Sequence, residues 1–311
     1  MNTSTVYALP RQVIIAGASG YIGRHLVAFF VERNVEVFCL QRKPSLPPVR
    51  SNLVKYFFTD LEYDLGHIFL LFQQPNQLAS GAIFYNCAWN SGESGKLLAQ
   101  QFDKQLANVN ITSNCVKLAS QLGCAKFINI GSLLESYYQA YLDSSLSIDY
   151  LPDLIKVRDY SIAKHACRDF GLLISYLCKI DYIHVRFSAC VSSVSSPNGY
   201  IENTLSQLSL GLAIDPPISK LLYDVIPIYD LCLALGVLGV LGRNKEDYFI
   251  GTGCASNLSE FFTSIQNKCL VSRPTSCSFA NHYMNTSLLQ HRTCLDFSSS
   301  ISKIHDKVSL K

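Results

Sequence analysis

Tyr160 and Lys164 stand four residues apart. On a helix that spacing puts a phenol and an ammonium one turn apart on the same face. The ammonium favours the charged phenolate, so it is expected to lower the tyrosine pKa and suit it to proton transfer. A second pattern, Gly17-Ala18-Ser19-Gly20-Tyr21-Ile22-Gly23, is a Gly-x-x-Gly-x-x-Gly turn whose bare backbone can approach a dinucleotide pyrophosphate. Ser132 follows the apolar run Phe127-Ile128-Asn129-Ile130 and completes the set. Together these residues describe hydride chemistry on a carbonyl or alcohol. Tyr160 would handle the proton, Ser132 would orient the reacting oxygen, and Lys164 would also bind the nicotinamide ribose.

The surrounding sequence must place these groups together. Gln12-Val13-Ile14-Ile15-Ala16 reads as a buried strand, Arg24 to Glu32 as a helix, and Val35 to Leu40 as a second parallel strand. The glycines therefore sit on a strand-to-helix turn, where free N–H groups and the helix dipole favour phosphate. Strand, helix and strand complete a βαβ unit of dinucleotide-binding length. NAD-binding units tend to end the second strand with Asp or Glu for the ribose hydroxyls. This chain has Gln41, Arg42 and Lys43 there. With no carboxylate to repel a 2′-phosphate and two cations to hold it, NADP(H) is expected over NAD(H). The plainer reading of Arg42 and Lys43 is a pair of solvated charges on a strand-end loop.

Beyond the glycines, Asp60-Leu61, the strand-like Ile83 to Ala88 (including Cys87), Asn108 to Asn114, Ile183 to Phe187, Asp224 to Asp230 and Phe249 to Gly253 recur in a familiar order. On these motifs and on Ser132, Tyr160 and Lys164, the chain resembles the extended short-chain dehydrogenase/reductases, specifically the sugar-nucleotide epimerase/dehydratase/reductase group. The resemblance runs over nearly the whole length. It implies an α/β fold, a Rossmann-like doubly wound parallel sheet with a smaller C-terminal substrate lobe. It implies cofactor contacts from Gly17, Ser19, Gly20, Tyr21, Ile22, Gly23, Asp60, Leu61, Cys87, Ala88 and Asn108, besides Arg42, Lys43, Tyr160 and Lys164. The expected organisation is a cofactor domain over residues 1–187, with its sheet completed by about 230–251. Residues 188–229 and 252–311 would form the lobe.

Departures from the group narrow the reaction. Ala189 stands where an asparagine often holds the nucleotide sugar, Tyr223 replaces an arginine, and the serine-rich Ser192 to Ser196 replaces a Gly-Pro. Dehydratases of the group carry Asp-Glu directly after the catalytic hydroxyl residue, because water elimination needs a separate acid and base. Here Leu133 and Leu134 follow Ser132, and neither transfers a proton. Leu133 also replaces the cysteine expected of a combined epimerase/reductase. Glu135 lies one place too far on and reads as a solvated or helix-start carboxylate. The remaining chemistry is NADPH-dependent reduction of a nucleotide-linked 4-keto-6-deoxy sugar, of the kind that feeds bacterial surface-polysaccharide synthesis. The alternatives are a 4-epimerase that retains NAD, and a sensor or scaffold that binds NADP without turnover.

Composition excludes other classes. The 311 residues carry 49% hydrophobic side chains and a net charge of +3, enough for a large core and too mild a charge for nucleic-acid binding. The 12 cysteines form no Cys-x-x-Cys and no zinc spacing with histidine, so no metal is expected. Cys39, Cys87, Cys178, Cys190 and Cys232 lie in apolar runs and read as small core residues of a reducing compartment. The longest apolar run, Leu231 to Leu241, is too short to span a bilayer and reads as a buried helix. Ser192 to Asn198 and Ser298 to Ser302 read as surface loops. A cytoplasmic protein is expected, with no membrane partner. Its expected partners are a nucleotide sugar and a second copy of the chain.

Overall fold

The computed structural model describes residues 7–42, 50–63, 65–72, 78, 81–91, 101–192, 199–216, 219–267 and 278–309. The chain begins with β1 (Gln12–Ala16), α1 (Tyr21–Val31), β2 (Glu36–Gln41), β3 (Val54–Phe58), α2 (Gly66–Phe72) and β4 (Ile83–Asn86). It continues through α3 (Phe102–Gln121), β5 (Lys126–Ile130), α4 (Leu133–Leu142), a short α5 (Leu151–Leu154), α6 (Arg158–Cys178) and β6 (Asp181–Phe187). Then come β7 (Ala189–Val191), α7 (Tyr200–Ser209), β8 (Val225–Pro227), α8 (Ile228–Leu241), β9 (Asp247–Ile250) and α9 (Leu258–Gln266). The last helices are α10 (Ser278–Tyr283), α11 (Ser287–Thr293) and α12 (Ser300–Ser309).

Seven strands form one parallel sheet in the order β3-β2-β1-β4-β5-β6-β9. Helices cover both of its faces, so the central strands are apolar throughout rather than alternating. In β1, Val13 and Ile15 point to the layer built by α1 and α8, while Ile14 and Ala16 point to that of α2 and α3. The expected Rossmann-like sheet is therefore present. Its strand order reverses direction between β1 and β4, and a ligand crevice opens at the C-terminal edge of such a switch point. Helix α8 is the run read as a buried helix; apolar nearly all round, it packs against α1.

The lobe is built on a two-stranded parallel sheet of β7 and β8. Leu205 of α7, Phe262 of α9 and Ile301 and Ile304 of α12 cover it. The tail is divided: Leu289, Leu295 and Phe297 join the layer of α1 and α8, whereas α12 covers the lobe. Of Ser298 to Ser302, the turn residues Ser298 and Ser299 and the exposed Ser302 meet the surface-loop expectation, and the buried start of α12 at Ser300 corrects it. Ser300 is buried at the first turn of α12 and donates to Asp230 Oδ2 at 2.6 Å, and Lys303 Nζ binds the same oxygen at 2.9 Å. A buried hydroxyl with a charged acceptor loses little by leaving water, which composition alone does not reveal. Of the other serine-rich stretch only Ser192 is described; residues 193–198 lie outside the described residues. Ten described cysteines are free thiols, with Cys39 and Cys232 buried and Cys87, Cys178 and Cys190 half-buried. No helix among the described residues is long and apolar enough to cross a membrane.

Candidate active site

The glycine turn is shaped by close approach. Gly17 has φ +75°, and a Cβ there would lie 2.6 Å from the backbone of Ala88 at the end of β4. A Cβ at Gly23 would lie 2.2 Å from Gly17 O. Gly20 precedes α1 with no capping side chain, so the first-turn N–H groups face the crevice. Helix α1 starts at Tyr21, three residues before the expected Arg24, which puts Tyr21, Ile22 and Gly23 in that first turn.

From this turn a groove of about 150 Å³ runs along the strand ends. Gly17, Ser19 and Gly20 form one wall, Arg42, Asp60 and Leu61 its far end, and Cys87 and Ala88 its floor. Gln41 also lines the groove; its side chain is buried, and neither the amide oxygen nor the nitrogen has a partner. Lys43 lies outside the described residues. Asn108 is buried and does not line the groove, but it holds Asn90, which does. Its carboxamide accepts from Asn90 N at 2.6 Å and donates to Asn90 O at 3.1 Å. Asn114, two turns on along α3, donates to the carbonyls of Leu61, Glu62 and Tyr63 at 2.9–3.2 Å. One helix thus fixes the loops on both sides of the groove.

Next to the groove lies a cleft of about 450 Å³ that contains Ser132, Tyr160, Tyr21 and Ile22. Ser132 caps α4, accepting from Leu134 N at 3.2 Å, and its hydroxyl lies near enough to the Tyr160 phenol to draw the phenol's pKa down. Tyr160 and Lys164 share α6, as their spacing predicts. Lys164 is buried and donates to Ile130 O at 2.8 Å. The lobe contributes Ala189, Tyr223 and Glu202 to the same cleft. Glu202 is buried and accepts from Tyr21 OH at 2.7 Å and from the Ser192 hydroxyl at 3.0 Å.

Sequence reasoning passed over Trp89. Its ring meets Tyr160 edge-on at 5.3 Å and lies 3.8 Å below the Lys164 ammonium. Its indole N–H is buried without an acceptor and its side chain lines the groove. The available signal was a lone tryptophan two residues past Cys87 at the end of a crevice strand. Glu135 is the helix-start carboxylate that its position suggests, but it is buried rather than solvated.

The electrostatics run against one expectation. Burial pushes the Tyr160 phenol up to about 12, a shift that the Ser132 hydroxyl opposes and the Glu135 carboxylate reinforces. Burial pushes Lys164 down to about 8. The anticipated lowering of the tyrosine by the lysine is absent because Lys164 is turned onto Ile130 O and the Trp89 ring. Tyr160 is thus a protonated acid at neutral pH. The glycine cradle, the unpartnered Gln41 amide and the unpartnered Trp89 N–H fit a dinucleotide along the groove.

Comparison with known proteins agrees with this geometry. The family model described as "NAD dependent epimerase/dehydratase family" matches residues 13–232. No curated relative matches the sequence. Among solved structures, UDP-glucose 4-epimerase of Thermotoga maritima has a TM-score of 0.67 at 12% identity, covering 95% of this chain and 98% of its own. Bordetella bronchiseptica WbmG, in complex with NAD and UDP, has a TM-score of 0.65 at 17% identity, covering 98% and 97%. UDP-N-acetylglucosamine 4-epimerase of Bacillus cereus has a TM-score of 0.63 at 18% identity, covering 97% and 100%. At these identities the structural likeness establishes the fold.

Proposed function

The chain belongs to the NAD dependent epimerase/dehydratase family, and within it we propose an NADPH-dependent reductase of a nucleotide-linked 4-keto-6-deoxy sugar. The observation that carries this reading is the pair of leucines next to Ser132. Leu133 is buried and Leu134 half-buried in the apolar cluster around Tyr137 and Phe279, so neither position offers an acid or a base. Glu135, the next carboxylate, is turned away onto His184 and the Ser132 N–H. Tyr160 is the proton donor that remains beside Ser132 in the cleft. When bound, the dinucleotide supplies the hydride. Ser132 and Tyr160 hold the carbonyl oxygen, Tyr160 gives it a proton, and Lys164 binds the nicotinamide ribose.

The purified protein is expected to oxidise NADPH with one of a panel of CDP-, dTDP-, GDP- and UDP-linked 4-keto-6-deoxy sugars. With NAD and unmodified nucleotide hexoses, NMR should show no 4-keto product. Elimination activity would overturn the reading.

A second reading, a 4-epimerase that retains NAD, is favoured by Gln41. Its neutral amide can accept from a ribose 2′-hydroxyl as readily as it can donate to a phosphate. The solved structures named as 4-epimerases add to it. Arg42 separates the two readings: it is exposed at the rim of the groove, and in the reductase reading its partner is the 2′-phosphate that NADH lacks. Arg42→Ala should weaken NADPH binding about tenfold, the scale of one charge-assisted contact of roughly 1–2 kcal/mol, and leave NADH nearly unchanged. Equal loss for both cofactors, or a native preference for NADH, favours the epimerase. The expected self-association remains part of the proposal, and sedimentation velocity would test it.

A further inference from the structure

A directional hydrogen-bond chain runs through the sheet and ends beneath Ser132. Asn86 Nδ2 on β4 donates to Asn129 Oδ1 on β5 at 3.0 Å. That leaves Asn129 Nδ2 as the donor to His184 Nδ1 on β6, at 3.3 Å. His184 Nδ1 is then an acceptor, and its Nε2–H donates to Glu135 Oε1 at 2.9 Å. The Ser132 N–H donates to the same oxygen at 2.7 Å. Every donor points toward the carboxylate, and Asn86, Asn129, His184 and Glu135 are all buried.

The far end of this chain meets the active site at one turn. Lys164 holds the carbonyl of Ile130, and Glu135 holds the N–H of Ser132. Between them, a Cβ on Gly131 would lie 2.2 Å from Glu135 Oε1 and 2.4 Å from His184 Nε2, so both side chains are seated directly against the turn. Glu135 Oε2 is buried with no hydrogen-bond partner. A carboxylate in that position is costly unless a cation lies near it. We propose that Glu135, held by His184 and Asn129, is the buried counter-charge of Lys164, and that the two residues together clamp the turn that presents the Ser132 hydroxyl.

The charge inventory supports this pairing. Lys164 feels Cys167 on its own helix, Cys87 at the end of β4, and Glu135 on α4, with the Tyr160 ring also near. Burial pushes Cys87 up to about 12, Cys167 up to about 11 and Tyr160 up to about 12, so all three are neutral at physiological pH. Burial also pushes the Glu135 carboxyl up, but His184, the Ser132 N–H and Arg186 together hold it well below the usual carboxylate range. Arg186 shares its charge with Asp247, bound at 2.7 Å, and also donates to Ser136 at 2.5 Å. Tyr182 adds no charge, since burial raises its pKa. Among these groups Glu135 is the one that stays ionised in the neighbourhood of Lys164. It acts through Lys164 and Ser132 and is therefore a positioning residue.

The inference rests on Lys164 as a cofactor ligand, and the test separates the two claims. Trp89 is the chain's one tryptophan, so its emission reports NADPH binding. Wild-type affinity should fall as pH rises through about 8, where Lys164 loses its proton. Glu135→Gln keeps an acceptor for the Ser132 N–H but removes the charge. It should move that midpoint down by about one pH unit, the scale of losing a nearby opposite charge. Glu135→Asp, which keeps the charge, should stay near the wild-type midpoint. An alkaline limb that Glu135→Gln leaves in place overturns the counter-charge. If the wild type shows no alkaline limb, the role of Lys164 at the ribose is what fails. In that case, or if Glu135→Gln does not fold, the reciprocal measurement decides. Lys164→Met should raise the pH at which the Glu135 carboxyl protonates, followed by carboxyl ¹³C NMR, by about one unit. An unchanged Glu135 titration overturns the proposal.

Discussion

Tyr160→Phe is expected to cut turnover by about 10²-fold or more, the usual scale for a general acid, while cofactor affinity stays close to wild type. The substitution removes the phenolic proton and keeps the ring. The edge-on contact with Trp89 at 5.3 Å therefore survives, and the groove wall keeps its shape. With the phenol pushed up to about 12, the group is protonated throughout the physiological range and poised to donate. Oxidation in the reverse direction needs the phenolate, so its rate should climb with pH where reduction does not. Steady-state kinetics in both directions, with cofactor titration alongside, would check these expectations. Near-normal turnover in Tyr160→Phe would mean that the pair is a helical coincidence. The leading reading would then be a protein that binds the cofactor without transforming anything.

The second large effect belongs to Gly17. Gly17→Ala should destabilise the fold by roughly 2–4 kcal/mol, combining a left-handed backbone with an overpacked contact. The added methyl would meet the Ala88 Cα and N at 2.6 Å, and these are backbone atoms with no rotamer to escape into. Relief requires the end of β4 to move, which also reshapes the floor of the groove. Cofactor affinity should therefore fall with stability. Gly81 supplies the control. It has φ +91°, but an added methyl there would find nothing within 4 Å, so Gly81→Ala carries the backbone cost alone. Urea denaturation of both variants would separate the two contributions. Equal losses in the two would show that crowding at Ala88 is relieved without cost.

The residues most legible in the sequence are those whose relationships are local. The glycine turn, the four-residue spacing of Tyr160 and Lys164, and the apolar strands each declare themselves within a few positions. What stayed hidden depends on partners distant in the chain. Glu135 is three residues from Ser132, and its capping role is local, yet its burial depends on His184, 49 residues away. Ser300 looks like a surface serine until Asp230 arrives from 70 residues upstream. The direction of the Tyr160 shift was missed for a related reason. Charge proximity can be guessed from spacing, whereas the depth of burial that outweighs it comes from Trp89 and the sheet.

Helix α3 has a consequence for tolerance. Asn108 and Asn114 tie down the loops at the two ends of the groove, and α3 also packs along α6, the carrier of Tyr160 and Lys164. The spacing between the loop after β3, the loop after β4 and Tyr160 is therefore gauged from one stiff rod rather than accumulated across several loops. Errors in a series of independent joints add, but errors measured from a shared datum do not. Loops along the groove can then change sequence freely, provided that each keeps the backbone carbonyl or N–H that α3 grips.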